Sequence, residues 1–474
     1  MSVIHRIAKN TTALFIAQII ISVSSIILSV FVARLLGDVM FGKYSFALAF
    51  VTFYTIFLDL GYNTLLIREV AREKSLAKKY LENVLGFRLI LSLIVFVFIV
   101  VTINITAYSS ETKNVVYLLG IYLLVASFSD VFKLTFRAFE KMEFEALIAL
   151  ISNIIRVSVG LTVLFLGYGI FELAMVFIVS AIADLLLSLF ICEKKFVKST
   201  VAFDIQFFKT TIKIALPLGM LSIFALVYNR IDTIMLEVMK GDAVVGWYNA
   251  ASNLTYGFKP IPHLFMSALL PIMSYYFVSS KNSLKIAYEK AFKYLFILGL
   301  PIAVGTTLLS DKIILFFYGP QFTNSIIALQ ILAWDILLIF LYACSAFLLV
   351  AIDKQKQMAI IAGITAVINI VLNLVLIPWY SYVGSAVATI VAEGFLFIAY
   401  LYLTTRYLHK IPFQGFVLQP LLACLAMGVV LYFFHGYNLL VLIVGGGLLY
   451  LGLVYVMRGF SSEDIALIKK LVKP

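Results

Sequence analysis

Six of the 36 lysines and arginines of this 474-residue chain fall inside long apolar runs: Arg34, Arg88, Lys133, Arg156, Arg230 and Lys259. A cation in hydrocarbon costs about 3 kcal/mol on insertion scales unless it meets a partner or water. Depth sorts the six. Arg34, Arg88 and Lys133 lie within a turn or two of a run's end, where a long side chain snorkels to the interface. Arg156 is about 11 residues, roughly 16 Å, into its run, and Lys259 about 12 residues, roughly 18 Å, both near the middle of a ~30 Å core. Arg230 lies somewhat outward of the middle. A cation at such depth either joins an interhelical ion pair or lines a wet cavity, where its chemistry is binding by charge.

Acids for ion pairs are present: Asp59, Asp130, Asp184, Asp232, Glu237, Asp335 and Glu393. Arg230 and Asp232 do not pair readily with each other, because two residues apart on a helix is about 200° of rotation. Arg230 and Glu237, seven apart, share a face. Asp335 and Glu393 lie mid-run with no basic neighbour, so each is either a neutral hydrogen-bonded acid or a site that takes up a proton or Na⁺. The four histidines and three cysteines show no ligand spacing, and there is no P-loop or GxSxG. No metal, cofactor or catalytic residue is assigned.

These residues need membrane-spanning helices to position them. At 63% hydrophobic and 13% charged, with a mean hydropathy of +1.07, the chain has more apolar surface than a soluble core buries. Runs of about 20 to 25 residues fit spanning helices and not an outer-membrane barrel. The basic, then apolar N-terminus reads as the first span and not as a cleaved signal. Fourteen spans are expected, at 10-36, 42-66, 83-105, 114-136, 145-166, 171-192, 213-238, 247-277, 290-309, 325-350, 357-377, 383-404, 413-434 and 438-457. With the N-terminus inside, 26 cations fall on the inner side and only Lys43, Lys113, Lys240 and Lys312 outside. That bias places both termini in the cytoplasm. It accounts for the net charge of +12 without a nucleic-acid partner. The outer loops are short, the longest about 310-324, which disfavours an enzyme acting on glycans outside the cell.

Two punctuation marks recur. Gly37-Asp38, Gly42, Tyr44 and Ala47 match Gly241-Asp242, Gly246, Tyr248 and Ala251 at one offset of 204 residues. Ala138, Glu140 and Lys141 match Ala351, Asp353 and Lys354 at 213. The fold expected is all-α and polytopic: two six-helix lobes from a parallel internal repeat, 1-200 and 201-410, then spans 13 and 14 at 411-458 and a cytoplasmic amphipathic tail at 459-474. Val201 to Thr211 reads as a short interfacial helix leading into the second lobe. Pro260 and Pro262, just after Lys259, are expected to break span eight.

Ala33-Arg34-Leu35-Leu36-Gly37 with Phe41-Gly42-Lys43-Tyr44, Leu58-Asp59-Leu60-Gly61 followed by Arg68-Glu69, Asn229-Arg230-Ile231-Asp232 with Gly246-Trp247-Tyr248, and Asn369 to Pro378 with Gly384-Ser385-Ala386 stand in an order that resembles the polysaccharide-transporter branch of the multidrug/oligosaccharidyl-lipid/polysaccharide exporter superfamily. That branch includes O-antigen-type flippases. The resemblance covers spans 1 to 12. It implies two lobes around a central cavity that opens alternately to either side of the cytoplasmic membrane. The implied partners are a glycan on a polyprenyl phosphate or diphosphate, the membrane lipids and glycan-assembly enzymes. Arg156, Arg230 and Lys259, with Asp232, stand where an anionic headgroup needs binding residues. Asp335 and Glu393 are the candidates for ion coupling. A multidrug or cation antiporter of the same superfamily is the main alternative, and it calls for an acidic, cation-poor cavity. A membrane glycosyltransferase and a passive scaffold fit less well.

Overall fold

Gly37 and Gly241, the first residues of the two copies of the motif, take the same backbone conformation in the computed structural model: φ 82°, ψ 177° and φ 85°, ψ 178°. That left-handed region is open to glycine and strained for other residues, so each copy turns the chain at a fixed point. The structure describes residues 3–198, 200–408 and 416–459. The second repeat has its own matching turn. Glu140 and Asp353 both adopt positive φ, 56° and 58°, and Lys141 and Lys354 both donate their N–H to the carbonyl five residues back, on Phe136 and Leu349. Similar sequence at two offsets thus encodes similar helix ends.

The described residues are α-helical apart from short turns. The chain divides into two units, Met1–Asn249 and Ala250–Pro474. The first holds α1 (Val3–Phe53), α2 (Thr55–Asp59), α3 (Tyr62–Arg72), α4 (Ala77–Ile105), α5 (Ser110–Ala138), α6 (Met142–Phe165), α7 (Ile170–Lys195), α8 (Ile205–Lys240) and the start of α9 (Asp242–Tyr256). The second continues through α10 (Pro260–Ser279), α11 (Lys281–Leu308), α12 (Ser310–Phe317), α13 (Ser325–Ala351), α14 (Gln355–Tyr407), α15 (Leu418–Phe433) and α16 (Leu439–Val456). α1 and α14, of 51 and 53 residues, are each too long for one crossing and are kinked, at Gly37 and at Ser381 (φ 53°). Counting each as two crossings, bent α8 as one and the shorter α15 as one gives the fourteen expected.

The helices are apolar on both faces, as lipid requires. α4 buries Ser92, Val95 and Ile99 and turns Leu93, Val97 and Phe98 outward, with Leu93 66% exposed. Within the first unit α5 packs against α7 and α4, α1 against α6, and α8 against α1 and α3. Within the second, α13 packs against α14, α11 and α10, and α15 against α11 and α16.

Three expectations meet a different structure. Residues 201–211 form no separate interfacial helix: 200–204 are extended and α8 begins at Ile205, because the Asp204 carboxylate caps the N–H groups of Gln206 and Phe207. Segment 310–324, expected as a loop, carries α12 and a 3₁₀ turn, Pro320–Phe322. Span two is broken, with α2 ending in a left-handed Leu60 (φ 44°) and Gly61 (φ 87°) before α3 starts. The amphipathic tail lies outside the described residues.

Candidate functional site

In the first unit the two copies of the motif put a tyrosine beside charge. Tyr44, 7% exposed, has Arg156 of α6 and Arg230 of α8 as its charged neighbours. The Arg156 guanidinium lies over two aromatic faces, 5.3 Å from the Phe177 centroid and 5.8 Å from that of Tyr122. Those rings meet edge to face at 5.3 Å, and Phe177 meets Tyr44 at 6.1 Å. Among the described residues Arg156 makes no ion pair. Its charge is therefore held by ring quadrupoles.

Two residues beyond Arg230 on α8, Asp232 is bound to the second copy of the motif. Asp232, 4% exposed, accepts the hydroxyl proton of Tyr248 at 2.8 Å. Thr233 next to it donates to Asn249 at 3.3 Å. Tyr248 is the counterpart of Tyr44 in the second copy of the motif, so one tyrosine anchors a carboxylate and the other faces two arginines. The two loops interlock by backbone: a Cβ on Gly42 would overlap the Asp242 carbonyl, and one on Gly246 the Asp38 carbonyl.

Arg88 is no snorkelling side chain. It is 4% exposed and donates to the Asn63 Oδ1 at 2.8 Å, with Asp59 and Asp130 as charged neighbours. Together with Thr55, Tyr122 and Ser127 these residues line a cavity of about 400 Å³ at the break of span two. Lys133 is likewise held inside, 2.8 Å from Asp184 and 3.8 Å from Asp130. Arg34 is exposed. Sequence depth did not separate these cases, because only the helix faces decide them.

In the second unit, span eight breaks where expected. α9 ends at Tyr256, a single turn follows, and Pro260 opens α10 at its first position, where its missing N–H costs nothing. Lys259 lies in that turn with its ammonium 3.7 Å from the Tyr256 ring centroid. Tyr256, Asp335, Glu393 and Tyr400 are all electrostatic neighbours of Tyr342. Asp335 and Glu393 are 0% and 1% exposed. The structure thus brings Asp335 and Glu393 together around one tyrosine, and Arg156 and Arg230 around another. Tyr44, Tyr122 and Phe177 carried no signal apart from Tyr44's place in the repeat. The three cysteines are free and buried.

A family model described as "Polysaccharide biosynthesis protein" matches residues 7–277, and one described as "MatE" matches 217–375. The chain is 24% identical to a protein described as probable flippase AglR of Haloferax volcanii, over 44% of this chain and 45% of that one, so it spans under half of that relative. It is 20% identical to the capsular polysaccharide biosynthesis protein CapF of Staphylococcus aureus, over 84% of this chain and 99% of that protein. In fold it is similar to a structure of the lipid II flippase MurJ in an inward closed conformation, with a TM-score of 0.79, 19% identity and coverage of 94% of this chain and 98% of the other. It is also similar to a multidrug transporter, DinF-BH, with a TM-score of 0.64, 16% identity and coverage of 86% and 96%.

Proposed function

This chain belongs to the polysaccharide biosynthesis protein family, in the polysaccharide-transporter branch of the exporter superfamily, and from that premise we propose that it is a flippase for lipid-linked oligosaccharide. It moves a glycan on a polyprenyl phosphate or diphosphate from the inner to the outer leaflet of the cytoplasmic membrane, by alternating access and with both termini inside. One observation carries the reading: Arg156 sits on the faces of Tyr122 and Phe177 with no described ion pair, and Arg230 joins it beside Tyr44. Two guanidinium groups in a membrane-embedded aromatic setting suit the multiple oxygens of a phosphate or diphosphate. Asp232 orients the α8 end of this arrangement through Tyr248, and Lys259 is a further substrate contact in its own unit. Asp335 and Glu393 are assigned to uptake of a coupling proton or Na⁺ in the second unit. Membrane lipids are partners, and so are the enzymes that assemble the glycan; the chemistry is transport and not catalysis.

The match to MatE over 217–375 favours a second reading, export of a cationic drug. The paired arginines weigh against it, because they repel a cationic cargo.

The test is lipid-linked glycan in cells lacking the protein, with the leaflet assigned by an impermeant glycosidase, complemented by Arg156→Ala, Arg230→Ala and Lys259→Ala. Inner-leaflet accumulation that these correctly inserted variants fail to relieve is the expected result. Unaltered glycan lipids with retention of a cationic drug would replace the flippase by the antiporter.

A further inference from the structure

The cavity at the break of span two faces charges that the flippase reading does not use. Asp59, on α2, accepts at its Oδ1 from the Asn63 N–H at 2.9 Å, and Asn63, on α3, accepts at its side-chain oxygen from Arg88 of α4. On α5, Asp130 is 58% exposed and lines this cavity. It accepts no hydrogen bond among the described residues; its one ion-pair partner, Lys133, is 3.8 Å away and bonds more closely to Asp184 of α7 at 2.8 Å. Asp184 also accepts from Ser129 at 2.5 Å and from Ser188 at 3.3 Å, so it is fully engaged. Glu145 of α6, the remaining acid near Asp130, is bound by Arg137 through two bonds at 2.5 and 2.8 Å. The α8 wall is apolar, made of Ile223 and Leu226.

The charges therefore do not balance. Asp59, Asp130 and Asp184 face Arg88 and Lys133, leaving one carboxylate in excess, and Asp130 is the one without a hydrogen-bond donor. We propose that Asp130 is a proton-binding site of the first unit, with Arg88 as the cation that sets its affinity. Its carboxylate takes a proton from hydronium in the cavity, becomes a neutral acid and leaves water; the cluster then carries no net charge. A metal cation is less suited, since Arg88 repels it and the Asn63 oxygen is already taken. The cavity adjoins α8, which bends by 54° at 220–223 and carries Arg230 beyond the bend, so occupancy reaches the paired arginines through one helix. The site is independent of what the protein transports.

The probe is dicyclohexylcarbodiimide, an apolar reagent that adds to protonated carboxyls, applied to the full-length protein in lipid nanodiscs with adducts located by mass spectrometry. Asp130 is expected to label in acid and to lose label by about tenfold per pH unit above its titration point. Arg88→Gln removes the nearby cation and is expected to move that midpoint upward by about one unit, raising label at a fixed pH by up to about tenfold. An adduct at Asp130 that ignores pH, or none at any pH, overturns the proposal, and the wild-type profile decides this even if Arg88→Gln fails to insert. Protection by sodium chloride over choline chloride at fixed pH also overturns it, in favour of a metal cation. Undiminished glycan transport by Asp130→Asn, with the wild-type labelling profile as expected, would leave the proton site standing and sink only its link to transport.

Discussion

Trp247 donates its indole N–H to the Asp38 carboxylate at 2.9 Å, tying the second copy of the GDxxxGxYxxA motif to the first. The bond has no mirror image. The residue that corresponds to Trp247 in the first copy is Lys43, which reaches away to Glu111 at 2.5 Å. Duplication supplied two equivalent turns, and divergence at one position made one of them the holder and the other the held. Trp247→Phe keeps the ring and removes a charge-assisted hydrogen bond. The expected cost is about 1.5–3 kcal/mol, read as a lower unfolding midpoint of the full-length protein in detergent, with no change on adding Lys43→Met.

Gly42 and Gly246 are fixed by close approach. An added methyl at either position meets a backbone carbonyl that has no rotamer to move into. Gly246→Ala is expected to destabilise by about 3 kcal/mol or more, seen as loss of monodisperse protein in size-exclusion profiles of a fluorescent fusion. Gly445→Ala and Gly447→Ala, where a Cβ meets nothing within 4 Å, are the controls and are expected to behave as wild type.

Arg156 is held by its planar face, so charge alone does not replace it. Arg156→Lys retains the cation but loses stacking on Phe177 and Tyr122 and the forked donors. Transport measured in reconstituted vesicles with a lipid-linked oligosaccharide is expected to fall about tenfold, corresponding to about 1.4 kcal/mol. Equal activity of the lysine variant would show that the aromatic seat is only packing.

Lys133 and Asp184 are 12% and 13% exposed, so neither charge is easily left alone. Lys133→Met is expected to cost about 3 kcal/mol of stability by stranding Asp184. Adding Asp184→Leu is expected to restore part of that loss. Thermal denaturation of the two variants side by side measures the coupling, and simple additivity would mean that the pair contributes nothing as a pair.

The repeat was legible because glycine and the residues after a helix end carry backbone information in their identity. Gly37 with Gly241 and Glu140 with Asp353 each proved to share one conformation. The break at Lys259 was legible for the same reason, since Pro260 and Pro262 cannot donate to a helix. Arg88 is not placed by sequence, because depth along a helix says nothing of which way a side chain faces. Its partner Asn63 is 25 residues away, across a break in span two that only Gly61 hints at. Tyr122 and Phe177 were hidden among 26 tyrosines and 41 phenylalanines, where residue type alone singles out none. The connector at 201–211 has the pattern of an independent helix but is not one, because its aromatic residues are spent on neighbours: Phe208 stacks on Phe87 at 3.9 Å.

That connector also sets an order of events at the ribosome. Thr200 and Ala202 bond to Glu82, Asp204 bonds to Asn83, and Tyr62 meets Thr211 of α8 at 3.0 Å, while Gly61 lies against the Ala215 backbone. Synthesis is vectorial, so the first six crossings are inserted before the chain that covers them exists. Until α8 leaves the insertion machinery, the nascent bundle presents a bare flank at Gly61, Gly86 and Phe87, and the seventh crossing closes a half that the first six began. A polypeptide stopped after residue 200 is therefore an unfinished assembly intermediate and not a minimal transporter half.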